Sequence, residues 1–415
     1  MSLAHPTRPQ LRQRLRERWR LVHLWLGWGL GALFALFGLS GSLLVVYPEL
    51  DALMNPALIW RPEQGCIRQW EPVLQALQRA EPWRERGWRI ELPEGGCGTV
   101  TARYLRPPER AGAFFAPRLV SLRADTLEPV AQRYWGETAM TWLFDLHYTG
   151  LAGTTGRSVV GVLGLLLLAS LVSGLLLWWP RSAAQWRSAW WPKPDAGSAR
   201  RTWDRHRLVG LYGAPLLLLL ALTGALLALP QWVDPLVASL SAPLPLPTAR
   251  STPPAATATT PAAVPAASAA RIPLDQALAA AQARFPLAQA RWVDTPDGPE
   301  GVYRVRLQQP GEPSRRFPKT WVLVDAYSAA VLGVRDAQQQ GHGDAGLAWL
   351  HPLHNGEVAG WTGRALVALA GLALPYLWIT GLRRWLDRRR GRHAARAPSR
   401  PPSSAGAACA TTGTG

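Results

Sequence analysis

Four long apolar runs divide the chain, at roughly Leu21–Tyr47, Ser158–Trp179, Leu208–Leu229 and Ala365–Leu382. A helix needs roughly 20 apolar residues to cross a hydrocarbon core, and each run meets or approaches that length. None contains Asp or Glu, and only Pro215 and Pro375 interrupt them. The polar stretches between them, about 48–157 and 230–364, are long enough to fold. In the second, Leu274, Ala277, Leu278 and Ala281 recur at helical spacing within Ile272–Phe285. Alternating runs then predict strands at Val302–Leu307, Trp321–Asp325 and Val331–Val334, the last two around a turn at Ser328. The first stretch has the same outline. A helix is predicted near Pro72–Ala80, with strands near Trp88–Leu92, Thr99–Tyr104, Leu119–Arg123 and Pro129–Arg133. The Pro/Ala/Thr-rich segment Ser241–Ala270 cannot bury a core and reads as a flexible linker.

The pattern therefore predicts an α-helical membrane protein with four transmembrane helices and two small α+β domains outside the bilayer. Charge gives the orientation. A net charge of +18 would by itself suit nucleic acid. The arginines, however, cluster at Arg12–Arg20, between 181 and 207, and from Arg383 to Arg400, each cluster abutting an apolar run. That is the bias of loops retained in the cytoplasm, and it argues against a nucleic-acid partner. The termini (1–20 and 383–415) and the 181–206 loop are expected to be cytoplasmic, with 48–157 and 230–364 extracytoplasmic. The first run is too long for a signal-peptide core, and no small-residue cleavage site follows it, so it reads as a retained anchor. Trp178, Trp179, Trp190 and Trp191 suit an interfacial aromatic belt. Of Cys66, Cys97 and Cys409, no two form a CxxC pair, which argues against zinc or iron–sulfur chemistry. Cys66 and Cys97 share an outer stretch, where a disulfide and two free thiols are both open.

An internal duplication sharpens the picture. Trp142-Leu-Phe-Asp-Leu-His147 is followed by Gly153 and Gly156-Arg157; Trp349-Leu-His-Pro-Leu-His354 is followed by Gly360 and Gly363-Arg364, in the same register. Ser173-Gly174 and Thr380-Gly381 extend the match. His23 and His206 each lead another run, with Gly27 and Gly210 four residues later and Ser40-Gly41 and Thr223-Gly224 beginning seventeen residues later. One helix–domain–helix unit thus occurs twice with the same orientation, a parallel repeat about an axis along the membrane normal.

Ionisable side chains at membrane depth are functional candidates. The repeat places His23 and His206 at one level near the cytoplasmic face, and His147 and His354 at one level near the opposite face. Two neutral imidazoles can hold one haem iron from both sides, so the four histidines suit two b-type haems. Singly, each histidine also suits an interfacial position. The Ser/Thr-Gly sites fall near these levels, where an absent side chain leaves room for a flat macrocycle; small-residue helix packing explains the glycines equally well. The neighbouring arginines suit haem propionates, although the positive-inside bias already accounts for them. His351 lies three residues before His354 and is a possible alternative ligand, but its counterpart is Phe144. His5, His342 and His393 carry no assignment.

These residues together resemble the PepSY-associated transmembrane helix family: His23 with Gly27, the Leu-His147 and Leu-His354 segments with their Gly and Gly-Arg positions, and the Ser/Thr-Gly positions. The segment Leu274–Gly333, with Val324-Asp325-Ala326-Tyr327-Ser328 and Val331-Leu332-Gly333, resembles a PepSY domain; the first outer domain matches by position. The resemblance implies a bacterial inner-membrane protein linked to iron uptake, similar to siderophore-iron reductases. It implies two b-type haems, on His23/His206 and His147/His354, and reduction of a periplasmic ferric chelate. No flavin-binding segment follows Leu382, so a separate electron donor, a quinol or a cytoplasmic reductant, is expected. Two other readings compete: a regulatory or binding protein that presents PepSY domains, which leaves the paired histidines without a purpose, and a transporter, for which acidic or broken-helix sites at mid-membrane are expected.

Overall fold

The computed structural model describes residues 8–84, 87–254 and 270–396. His5, Cys409 and residues 255–269 of the expected linker lie outside the described residues. In chain order the helices are α1 (Arg8–Gly29), α2 (Gly31–Leu44), α3 (Tyr47–Met54), α4 (Glu71–Ala80), α5 (Ala139–Thr149), α6 (Gly153–Trp178), α7 (Ala183–Ala189), α8 (Ser198–Ala228), α9 (Pro230–Leu240), α10 (Leu274–Arg284), α11 (His342–His354) and α12 (Gly360–Arg396). The strands are β1 (Trp88–Glu91), β2 (Val100–Tyr104), β3 (Arg118–Leu122), β4 (Pro129–Tyr134), β5 (Gln289–Asp294), β6 (Tyr303–Gln308), β7 (Thr320–Val324) and β8 (Val331–Arg335).

Helices α6, α8 and α12 are each long and apolar enough to cross a membrane. The first apolar run departs from the expected single helix. It breaks at Leu30, and α1 and α2 pass as a fourth span only when taken together across a 62° bend. Gly29 and Gly31 flank the break, where the missing side chains leave the backbone weakly committed to helix. A Cβ at Gly31 would run into the Trp378 indole of α12. Beyond the bend, α2 lies close on α12: Gly38 and Gly371 face each other, and Ser42 Oγ donates to Ala368 O at 2.8 Å. Such close approach depends on small residues, as is usual between helices in lipid. The basic segments are also more helical than expected. Helix α8 begins at Ser198, and α12 continues past Leu382 to Arg396. Buried Asp204 on α8 accepts from the Lys193 backbone N–H and pairs with Arg200 and Arg207, fastening the shortened connection to the helix.

The two outer units, expected as separate small domains, form one antiparallel sheet of order β4-β3-β2-β1-β5-β6-β7-β8. The order is the same read from either end by repeat, with the two copies meeting at β1 and β5 (Ile90 opposite Val293). An unpaired edge strand invites pairing, and here each copy covers the other's. A single core runs under both halves. Trp88, Ile90, Val100 and Leu122 join Val293, Val305, Leu307 and Val322, roofed by Val73 and Leu77 of α4 and Leu274 and Ala281 of α10. The two roofing helices cap each other. Trp70 and Glu71 N–H donate to the Asp275 carboxylate at 2.8 and 2.9 Å, and Leu274 N–H donates to Glu71 Oε2 at 2.7 Å. Each carboxylate thereby satisfies amides that a helix start leaves open.

Cys66 and Cys97 are joined in a disulfide that ties the approach to α4 to the β1–β2 connection, 31 residues apart. In the chain-entropy account a loop of that length adds about 3–4 kcal/mol to stability. Cys97→Ser is therefore expected to lower the unfolding midpoint of the purified protein clearly, and dithiothreitol to do the same to the unaltered chain but nothing further to the variant.

Candidate functional site

Helices α5 and α11, each ending in a histidine turn, are missing from the strand-and-span outline yet position half of the site. Each is followed by a tight corner into a span. Gly153 and Gly360 stand at φ 57° and 55°, in the left-handed region that favours glycine. Side chains at Gly156 and Gly363 would collide with the carbonyls of Thr149 and Gly356. The arginines next to them close the neighbouring helices. Arg157 donates to Leu227 O at 2.7 Å near the end of α8, and Arg364 to Val45 O at 2.6 Å just after α2. Most of the duplicated Gly, Gly-Arg signature is thus helix-corner and helix-capping machinery.

The bundle brings the expected histidines together in the expected pairs. The rings of His23 and His206 lie 6.2 Å apart, centroid to centroid, and those of His147 and His354 lie 6.3 Å apart. The first pair sits toward the end of the bundle where α1 begins and α12 ends, the second toward the sheet. Between them, on α8 between His206 and Thr223 and on the facing turns of α6 and α12, lies an aliphatic layer of Leu217, Ala370 and Leu374 with Leu167, Leu171 and Leu220.

All four imidazoles are held alike. His23 Nδ1 lies 3.0 Å from Ser173 Oγ and 3.0 Å from Ser170 O; His206 Nδ1 lies 3.0 Å from Thr380 Oγ1 and 3.1 Å from Leu377 O. His147 Nδ1 lies 3.0 Å from Ser40 Oγ, and His354 Nδ1 lies 3.0 Å from Thr223 Oγ1. Each hydroxyl already donates to a carbonyl of its own helix: Ser40 to Phe37, Ser173 to Ser170, Thr223 to Leu219 and Thr380 to Tyr376. A hydroxyl has one proton to give, so each accepts from the imidazole, and Nδ1 carries the hydrogen. The Nε2 lone pair is left free, the arrangement that fixes a metal-ligating histidine's tautomer and orientation.

Each cradle comes from the same repeat as its histidine, whereas each pair joins two repeats. Ser173-Gly174 and Ser40-Gly41 hold His23 and His147; Thr380-Gly381 and Thr223-Gly224 hold His206 and His354. Three of the glycines also seat the rings closely. A Cβ would lie 2.9 Å from His147 Cε1 at Gly41, 3.1 Å from His23 Cε1 at Gly174 and 2.8 Å from His354 Cε1 at Gly224. Their missing side chains make room for the imidazole rings. Open space lies beside Gly174 and Gly381, which line a cavity, and at the earlier glycines too. Nothing comes within 4 Å of a Cβ at Gly27, and only Leu377 comes near one at Gly210. Both glycines line the same cavity, of about 1070 Å³ around His23 and His206, which also has Arg16, Arg20, Arg384 and Trp378 in its wall. The hydroxyls' role escaped the sequence reading, although Ser or Thr precedes every one of the four cradle glycines.

The spacing and the free Nε2 atoms are what a shared metal centre such as haem would need. Two imidazoles that shared one metal ion through bonds of about 2 Å would have their centroids about 6 Å apart. Among the described residues no three His, Cys, Asp or Glu side chains converge on a metal position. Two imidazoles suit an iron whose remaining positions a macrocycle fills. His351 joins neither pair. It stacks edge-on against Phe317 at 4.8 Å and approaches Asn355 through Nδ1 at 3.3 Å, as its counterpart Phe144 stacks on Trp135 at 5.1 Å. Burial, reinforced by the His354 ring and the charges of Arg316 and Lys319, pushes its imidazole down to about 4. His342 is exposed at the start of α11.

The chain resembles known proteins. The chain is 30% identical over 274 residues to an uncharacterized protein of Pseudomonas aeruginosa; the match covers 60% of this chain and 64% of that relative's length. The family described as the PepSY-associated TM region matches residues 20–388, from the turn before His23 to the end of the last span, and the protein belongs to that family.

Proposed function

We propose that this is a two-haem membrane reductase that carries electrons across the bilayer to a ferric chelate on the sheet side, where iron is then released for uptake. The observation that supports it is the twofold recurrence of one construction: two imidazoles about 6 Å apart, each with Nδ1 engaged and Nε2 free, at two levels separated by an aliphatic layer. His23 and His206 would hold one b-type haem and His147 and His354 the other. Haem bound there supplies a one-electron carrier at each level.

The chain's own residues do the rest. Ser40, Ser173, Thr223 and Thr380 hold the rings in one tautomer and orientation. Leu217, Leu374 and their neighbours keep water out of the space between the levels. Arg157 and Arg364 hold the helix ends in register beside the sheet-side pair. By the arginine bias the sheet faces the periplasm of a bacterial inner membrane and both termini face the cytoplasm, where a quinol or a cytoplasmic reductant would deliver electrons.

A visible spectrum of the purified protein, expressed with ample haem precursor, tests the reading. A Soret band, sharp α and β bands on dithionite reduction, and about two haems per chain are expected. A colourless protein that stays colourless on haem addition would sink the proposal and leave the sheet as a presented binding domain.

A further inference from the structure

The sheet has two unlike faces. One packs on α4 and α10; the other presents Arg89, Arg103, Arg133, Arg304, Arg306 and Arg335, with Glu91 and Asp294 as the strand carboxylates among them. Most of these cations have a partner. Asp294 meets Arg89 at 2.5 Å, Arg306 at 3.3 Å and Arg304 at 3.7 Å; Asp51 takes Arg133 and Asp344 takes Arg335. Even so, Arg103, Arg133, Arg304, Arg306 and Arg335 each bury an Nε with no partner. Buried donors are usually paired, so a face this rich in them is suited to an acceptor.

Arg103 and Arg304 are the two whose carboxylate lies beyond 3.5 Å, and Arg103 is the more buried of them. Its nearest carboxylate is Glu91 at 3.6 Å, and its guanidinium lies over Trp292 at 4.9 Å and beside Trp135 at 5.8 Å. Burial and the charge of Arg316 hold it down to about 10. Arg316 comes from the β6–β7 loop, whose backbone is pinned where Trp292 Nε1 donates to Arg316 O at 2.7 Å. Its side chain lies over Tyr47 at 6.0 Å and has no ion pair among the described residues. The next residue, Phe317, rests on His351, one helical turn from His354. Arg103 and the backbone of Arg316 thus meet at the Trp292 indole, and Phe317 links this corner to His351 on the helix that carries His354.

We propose that Arg103 and Arg316, with His351 beside them, form a binding site for a carboxylate-class anion. The site stands independently of the haem reading. Of its two sources, a propionate of the sheet-side haem depends on that reading, and a free carboxylate arriving from the sheet side does not. Planar guanidinium pairs are suited to carboxylate, and Arg316→Lys keeps the charge without the fork.

Two measurements on the full-length detergent-purified protein separate the sources. In a spectroelectrochemical titration, Arg316→Gln is expected to lower the midpoint of one haem and leave the other unmoved if the anion is a propionate, with Arg316→Lys falling between. In a tryptophan-fluorescence titration with iron-free citrate, with glycerol as the neutral control, saturable quenching that Arg316→Gln weakens about tenfold identifies a free carboxylate. Arg103→Gln should act in the same direction in whichever arm responds. If neither the midpoints nor citrate affinity differ between the unaltered protein and both Gln variants, the site does not exist. If the protein carries no haem, the citrate titration alone decides, and absence of quenching overturns the proposal.

Discussion

His206→Ala is expected to leave the purified protein with one haem in place of two, and His23→Ala to give the same product. His147→Ala and His354→Ala should each remove the other haem. The reason lies in how the repeats share the work. Each pair takes one ring from each repeat, so losing either ring breaks the same site. Each ring is steadied by a hydroxyl from its own repeat, so the two levels have no ligand or cradle in common. A haem-to-protein ratio falling from about two to about one in every single variant is the expected pyridine haemochrome result. The pairs also differ in shape: the His23 and His206 planes cross at 81°, those of His147 and His354 at 42°. Low-temperature electron paramagnetic resonance should therefore lose a different low-spin signal in each class. Loss of both haems from every single variant, or loss of the sheet-side haem from His351→Ala, would break this pairing.

Much of this site was readable in the sequence because a duplication supplies its own control. His23 and His206, or His147 and His354, are unremarkable singly; their recurrence at fixed offsets from Gly, Gly-Arg and Ser/Thr-Gly marks them. The same comparison set His351 aside, since Phe144 stands in its place, and the structure gives both residues a ring-stacking role. The offsets could not reveal which turn faces which. The cradles therefore suited cofactor space and helix packing alike, and their seating of the imidazoles went unread. Strand β5 was missed for a local reason. Its register slips between Ala290 and Trp292, so Trp292 and Val293 are both buried and simple alternation fails. That strand joins the two halves, and without it the outer units read as two domains. The bend at Leu30 was hidden because hydropathy averages over direction: an apolar run reads the same straight or broken.

The cradle glycines offer a graded test whose order is set by distance alone. Alanine at Gly224 would put a Cβ 2.8 Å from His354 Cε1, and at Gly41 2.9 Å from His147 Cε1. Real side chains do not approach so closely, so the ring must move or turn off its favoured rotamer, and a packed interior yields little. Moving the ring also strains the Nδ1 bond to Thr223 or Ser40 that sets Nε2 on its target. At Gly174 the contact would be 3.1 Å, tight but absorbable; at Gly381 it would be 3.4 Å, ordinary van der Waals contact with His206. Gly224→Ala and Gly41→Ala are therefore expected to cost the sheet-side haem most of its occupancy, a loss of about tenfold or more in affinity. Gly174→Ala should weaken the other haem mildly, and Gly381→Ala should leave it near normal. Haem occupancy after dialysis against apomyoglobin measures the series. If the glycines merely let helices pack, all four substitutions should instead lower thermal stability together and leave the ratio of the two haems unchanged. An inverted order, with Gly381→Ala the most damaging, would mean that the rings are not seated against these glycines at all.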